Sequence, residues 1–322
     1  MTIDEFKVAL NTWGQEKVPF LFWIDFELEK PVVIKLTAVD NRKVLFDING
    51  VTNTKPNLKK TGKPLLKKPI SLADYKNKFS KVAYHLNYGD SYLTNLTVKT
   101  EIQLSQSLKE LFHNSKAKYK LLVDDQFLVF SPETFIQIRE GKIYSFPMKG
   151  TIDASLPGAS EIILNSVKEK SEHVTIVDLI RNDLSMVASD VHVSRFRYLD
   201  KITTSHKDLL QVSSEIVGTL SKDYLSKLGD ILVAVLPAGS VSGAPKAKTL
   251  EIIAQAEQEK RGYYTGVVGH FDGEKLDTGV MIRFIEKNNN RYFYRSGGGI
   301  TTQSDPEMEY QEMIDKVYVP ID

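Results

Sequence analysis

A mixed α+β fold is what this sequence predicts, and three observations predict it. Strand-like runs outnumber helical ones, several of the strands are set to pair as hairpins, and no repeat of 20–50 residues marks a solenoid or propeller. With 322 residues against roughly 100–200 per domain, the chain makes one large domain or two ordinary ones with ample core, and is taken as one over 1–322. It opens with a short β-rich region over 1–72 that includes a lysine-rich loop.

Residues 20–50 hold the runs FLFWIDF, VVIKL and KVLFDI between Pro, Asp and Asn turn signals, as strands require. From Asn53 to Lys78 lysines (Lys55, Lys59, Lys60, Lys63, Lys67, Lys68) alternate with Pro56, Pro64 and Pro69, the pattern of an exposed loop or linker. Ser71 caps a helix carrying Tyr75, Phe79, Val82 and Leu86 at helical spacing. Short strands follow near Ser91–Thr97, Gln126–Phe130, Phe135–Arg139 and Lys142–Phe146. A helical pattern from about 160 to 187 bears the apolar stripe Val177, Ile180, Leu184, Val187. Ser242-Gly-Ala-Pro-Lys246 opens another helix, with Gly262 beyond its end. DTGVMIRFIE and RYFYRS flank Asn288-Asn-Asn290 as a hairpin, Gly297-Gly-Gly299 follows, and SDPEMEYQEMIDKV closes the chain as a capped helix.

Composition excludes several functions. Hydrophobic residues make up 42% and charged residues 26%, and 42 Lys and Arg against 41 Asp and Glu leave a net charge of +1. These are globular values, and no overall field recruits nucleic acid. Acidic residues in MTIDEFKVAL and the lack of a clean apolar stretch argue against a secretory leader, and runs such as Ile231 to Leu236 are too short to span a bilayer. A cytoplasmic protein with no membrane segment is expected. The sequence has no cysteine, which removes disulfides, thiolate metal sites and cysteine nucleophiles. Carboxylates, amines, imidazoles and hydroxyls must carry any chemistry.

Three constellations could do so. Glu169 with Glu172, and Glu309 with Glu312, are i,i+3 pairs that each share one helix face; facing helices would gather four carboxylates, an oxygen set suited to Mg2+. Read by spacing alone, they are equally the solvated faces of two helices. Ser240-Val-Ser-Gly-Ala-Pro-Lys246 offers small residues and a helix start to an anion, or is simply a capped helix. Gly297-Gly-Gly299 is either a bulge or a place where amides meet a carboxylate. Lys149, in Phe146-Pro-Met-Lys-Gly-Thr151, ends a strand; an amine there is nucleophilic only where its setting lets it lose a proton, and most lysines are solvated.

In order along the chain, SEHVTIVDLIRNDL (Ser171 to Leu184), LPAGSVSGAPKAKTLEII, RGYYTGVVG, MIRF, SGGGIT and SDPEMEYQEMIDK resemble the chorismate-utilising enzymes over roughly 73–322. The resemblance implies a fold of large antiparallel sheets with helices outside, an active-site cleft between subdomains, and chorismate bound with Mg2+. It also separates the branches. Anthranilate-forming members carry Ala where PMKGT has Lys149, whereas aminodeoxychorismate-forming members carry Lys, so the resemblance is to the latter. It implies that the lysine amine attacks C2 of chorismate as the C4 hydroxyl leaves, after which ammonia enters at C4. Expelling hydroxide calls for a proton donor, and Glu133 in Ser-Pro-Glu-Thr-Phe matches the family's acid/base glutamate. Glu172 and Glu312 match direct Mg2+ ligands, with Glu169 and Glu309 behind them. Tyr264, Arg283, Gly298, Gly299 and Lys316 match carboxylate-binding positions, and Ser240 matches a small hydroxyl residue near the substrate. Arg283 is expected on a strand. His173, beside a matched ligand, could orient the site, and Tyr263 is expected to pack.

The sequence departs from the family at three places. Leu93 stands where isochorismate-forming members have a basic Lys, and Gln211 stands where many members have His. The amino end is short compared with typical members, so the resemblance does not extend to the feedback binding of tryptophan that some relatives show. A separate glutamine amidotransferase is the implied ammonia source, since that chemistry uses a cysteine. Two alternatives stay open: an anthranilate-forming enzyme, and a non-catalytic subunit that binds chorismate or the amidotransferase.

Overall fold

The computed structural model describes residues 1–55, 65–203 and 208–320. Two sheets of nine strands each organise them, every pairing antiparallel. In the first, the order runs Met148–Asp153, Asp208–Thr219, Lys142–Ser145, Thr134–Arg139, Leu276–Val280, Val267–Phe271, Phe20–Ile24, Val32–Lys35, with Ser189–Thr203 also on Asp208–Thr219. The second centres on Leu93–Gln103, Arg291–Ile300, Phe284–Asn288, Phe127–Ser131 and Tyr119–Val123. Residues 1–72 thus contribute strands to both sheets.

The sheets face each other, and alternation along single strands shows it. Leu21 and Trp23 join Phe46, Leu121, Val129 and Phe284 between the sheets, while Phe20, Phe22 and Ile24 of the same strand turn outward to helices. A strand buried on both faces reads as a continuous apolar run, which is why FLFWI does not alternate. The helices Ile3–Gln15, Val167–Ser185 and Leu228–Ala234 cover the first sheet; Leu72–Tyr88, Lys246–Glu257 and Pro306–Asp315 cover the second. Residues 224–241 are apolar enough to cross a bilayer, yet they break into two short 3-10 turns and a seven-residue helix, and 56% of the segment is buried.

Several expected elements shift. The helical pattern of 160–187 divides into Ala159–Asn165 and Val167–Ser185 because Ser166 ends one helix and caps the next, accepting a hydrogen bond from the Glu169 N–H. Gly243–Ala244 forms a two-residue strand, so the helix expected there starts at Lys246. The segment DTGVMIRFIE is two strands, one in each sheet, and Arg283 lies between them at φ +53° rather than on a strand. The hairpin is as expected: Asn289 and Asn290 both take positive φ, the requirement of a two-residue type I′ turn. Of the lysine-rich stretch, 56–64 lies outside the described residues, and Leu66–Lys68 pairs with Glu101–Gln103.

Candidate active site

The chain passes from one sheet to the other at two points that lie side by side. Glu133 sits between Phe127–Ser131 and Thr134–Arg139; Arg283 sits between Leu276–Val280 and Phe284–Asn288. The Val280 N–H donates to the Glu133 carbonyl at 3.1 Å, and the Phe130 N–H to the Arg283 carbonyl at 3.1 Å. A cleft opens along this seam. One cavity of about 180 Å³ is lined by Glu133, Lys149, Ser240, Tyr264, Arg283, Gly297 to Gly299 and Lys316. A larger one of about 560 Å³ shares Glu133, Lys149, Ser240 and Gly299 with it and adds Glu172 and Leu93.

The Ser240 hydroxyl donates to Glu133 Oε1 at 2.5 Å. Burial pushes the Glu133 carboxyl above its ordinary value, against the lowering effect of the Ser240 hydrogen bond and of the Arg283 and Lys316 charges. A carboxyl raised in this way keeps its proton to higher pH than an exposed glutamate does, which favours a proton donor. Lys149 reaches the cleft from a bulge. Met148 pairs with Ser213 and Thr151 with Gln211, so Lys149 and Gly150 together oppose only Val212, and Gly150 takes φ +93°. Its amine lies 2.8 Å from Glu172 Oε2. Burial alone would lower the Lys149 amine, but the hydrogen bond and charge of Glu172, with Glu312 and Glu169 behind it, outweigh burial and hold it above its ordinary value.

The side expected to meet substrate carboxylates is built from the glycine-rich strand. A Cβ on Gly298 would stand 3.2 Å from Glu309 Oε2, 3.6 Å from Lys316 Nζ and 3.7 Å from Glu312 Oε1, so these groups close on the strand to within contact distance of a side chain there. Lys316 Nζ donates to Glu312 Oε1 at 2.6 Å and to the Gly297 carbonyl at 2.9 Å. Arg283 Nη1 donates to the Lys316 carbonyl at 2.9 Å, and its guanidinium stacks 4.7 Å from the Tyr318 ring. Tyr264 is buried against Phe284, and burial pushes its hydroxyl up to about 12. Leu93 offers only methyl groups at its place in the cleft, and Gln211 lines neither cavity.

Nine of the twelve expected site residues line the two shared cavities. Glu309 and Glu312 line an adjoining one on the side of the last helix. Glu169 turns Oε2 against Gly150, where that oxygen is buried without a hydrogen-bond partner. Among the described residues, no three acidic or imidazole groups close on one point; the four glutamates are instead arrayed about Lys149 and Lys316. An unpartnered buried oxygen in an all-carboxylate set fits a hard divalent cation. Sequence reasoning missed Ser304, which donates to Glu309 Oε1 at 2.8 Å. A serine just before an Asp-capped helix carries no signal that separates such a contact from capping. Burial nonetheless keeps the Glu309 carboxyl above its ordinary value.

Residues 23–322 match the chorismate binding enzyme family. The chain belongs to that family. This chorismate binding enzyme is 47% identical over 321 residues to a PabA-like protein of Haemophilus influenzae, covering 100% of this chain and 98% of that one. It is 32% identical over 264 residues to aminodeoxychorismate synthase component 1 of Salmonella typhimurium, covering 77% of this chain and 57% of that protein. The menaquinone-specific isochorismate synthase of Escherichia coli superimposes with a TM-score of 0.74 at 15% identity, covering 98% of this chain and 81% of that one. At such identity the likeness speaks to the fold.

Proposed function

We propose that this chorismate binding enzyme converts chorismate and ammonia to 4-amino-4-deoxychorismate and water. The observation that carries the proposal is the Lys149 amine in the cleft, facing the cavity that also holds the Glu133 carboxyl. The reading is supported by an amine within reach of the cleft, able to attack once it loses its proton, and by a carboxyl whose burial helps it keep a proton for a leaving oxygen.

In the proposed sequence, Lys149 Nζ bonds to ring C2, the ring double bond shifts, and the C4 hydroxyl departs as water with the proton of Glu133. Ammonia then bonds to C4, the double bond shifts back, and Lys149 is released; the Glu133 carboxylate takes up a proton and is reset. Arg283 and Lys316, with the Gly298 and Gly299 amides, would hold the substrate carboxylates, the guanidinium matching their planar geometry. Tyr264, protonated throughout, can donate a hydrogen bond beside them. Glu172 and Glu312 would hold Mg2+, with Glu169 and Glu309 behind; the ion would supply positive charge to the substrate carboxylate and draw off the carboxylate charge that keeps Lys149 protonated. Leu93 offers no base to activate water, which disfavours isochorismate formation.

The sequence contains no cysteine, so a cysteine-dependent glutamine amidotransferase would have to be a separate partner subunit, and the chain alone should accept free ammonia. Incubation of the purified protein with chorismate, ammonium and Mg2+, with the product identified by mass, tests the assignment. Formation of 4-amino-4-deoxychorismate that disappears in Lys149→Ala is expected. Anthranilate, isochorismate, or turnover unaffected by Lys149→Ala would each overturn it.

A further inference from the structure

We propose that His173 is the positioning residue for Lys149, fixing the bulge from which the amine reaches the cleft. The inference rests on the reading of Lys149 as nucleophile. His173 is fully buried on the helix Val167–Ser185, immediately after Glu172. Its two ring nitrogens face in different directions. Nδ1 lies 3.4 Å from the Lys149 carbonyl oxygen, and Nε2 lies 2.7 Å from the Ser214 hydroxyl.

The partners set the direction of each hydrogen bond. A carbonyl oxygen only accepts, so the hydrogen sits on Nδ1 and points at Lys149. Ser214 Oγ already accepts from the Arg197 N–H at 2.9 Å, which leaves its own hydrogen for Nε2. The chain of contacts therefore runs from the Arg197 backbone through Ser214 and the imidazole to the backbone of Lys149. Phe196 packs edge-on to the ring at 5.9 Å and 73°, restricting its plane.

The bulge makes this contact matter. Lys149 and Gly150 oppose a single residue of the neighbouring strand, so strand pairing does not fix the peptide that follows the lysine. The same helix holds that peptide from two positions one turn apart: His173 at the carbonyl, and Glu169 packed against Gly150, where a Cβ would stand 2.8 Å from its Oε2. Rotation of the peptide would swing the amine along the cleft, and displacement of a reacting group by about 1 Å can cost roughly 100-fold in rate.

Two isosteric variants separate the ring nitrogens. His173→Asn retains a donor near the Nδ1 position and loses the reach to Ser214, whereas His173→Gln retains a group near Nε2 and loses the contact with Lys149. Steady-state kinetics with chorismate and ammonium, alongside melting temperatures, are expected to show kcat for His173→Gln reduced roughly 10- to 100-fold with the chorismate KM nearly unchanged. His173→Asn should keep most of the turnover. Equal kcat for the two folded variants, or a loss confined to KM, would overturn the proposal. If the Gln variant does not fold, His173→Leu, which fills the site without a donor at the Nδ1 position, should lower kcat relative to His173→Asn; equal kcat in those two would then count against the proposal. Lys149→Ala separates the two claims. Continued product formation in it overturns the reading of the lysine; loss of product there, with wild-type kcat in His173→Gln, overturns the positioning alone.

Discussion

Removing the Ser240 hydroxyl should shift the pH at which the enzyme stops working. The 2.5 Å hydrogen bond to Glu133 Oε1 favours the ionised carboxylate and so opposes the burial that raises this group. A hydrogen bond to a charged group contributes about 1.5–3 kcal/mol, and the part of it that favours the ionised over the neutral carboxyl is lost in Ser240→Ala, so the Glu133 carboxyl should rise further. In the proposed role of proton donor, Glu133 is competent below its pKa and idle above it. The alkaline limb of the kcat/KM profile should therefore move to higher pH. The assay is product formation across pH with the concentration of free ammonia, not total ammonium, held constant. Ser240→Thr keeps the hydroxyl and should leave the limb where it is. An unmoved limb in Ser240→Ala, or one moved toward acid, would refute the assignment of Glu133 as the acid and the role given to Ser240.

Two further outcomes follow from the site and the core. Excess EDTA should abolish product formation, and added Mg2+ should restore it; full activity in the chelator would remove the metal from the chemistry. Gly279→Ala should lower the melting temperature, because its Cβ would stand 2.4 Å from Cγ of the buried Tyr119, an overpacking that costs about 1–3 kcal/mol. An unchanged melting temperature would mean that the Tyr119 ring can move aside despite its hydroxyl contacts to Asp277 and Thr134.

Much of the architecture was legible because it is written in local patterns. Ser71 caps its helix and Tyr75, Phe79, Val82 and Leu86 are buried along it, as periodicity requires. The paired asparagines specify the hairpin. The amino-terminal helix was also legible in principle: Thr2 and Glu5 form a capping box, and Phe6 and Leu10 are its buried face. The acidic residues that argue against a secretory leader, Asp4 and Glu5, lie in its first turn. The crossings were not legible. Val280, Met281 and Ile282 precede Arg283 and Phe284 follows it, and one charged residue inside an apolar stretch does not by itself say that one sheet ends there and the next begins, since both sides are core. The long strands Ser189–Thr203 and Asp208–Thr219 were missed for a related reason, as polar and charged residues interrupt the first of them throughout. The site residues stood out through their order in the chain, because each motif alone had an ordinary structural explanation. Their convergence depends on sheet topology, which local pattern does not encode.

The two neighbouring crossings have a mechanical consequence. Glu133 and Arg283 each lie in a connection that joins one sheet to the other, and backbone hydrogen bonds tie their segments together. If the sheets slide or splay as a substrate enters, these two side chains should travel as one piece, so that the spacing between the proposed proton donor and the proposed carboxylate-binding guanidinium is conserved. Lys149, on a bulged strand at the margin of one sheet, has no such mounting. The proposed catalytic parts would therefore divide into a fixed jaw and an adjustable one, and changes in how tightly the cleft closes should register first at the lysine.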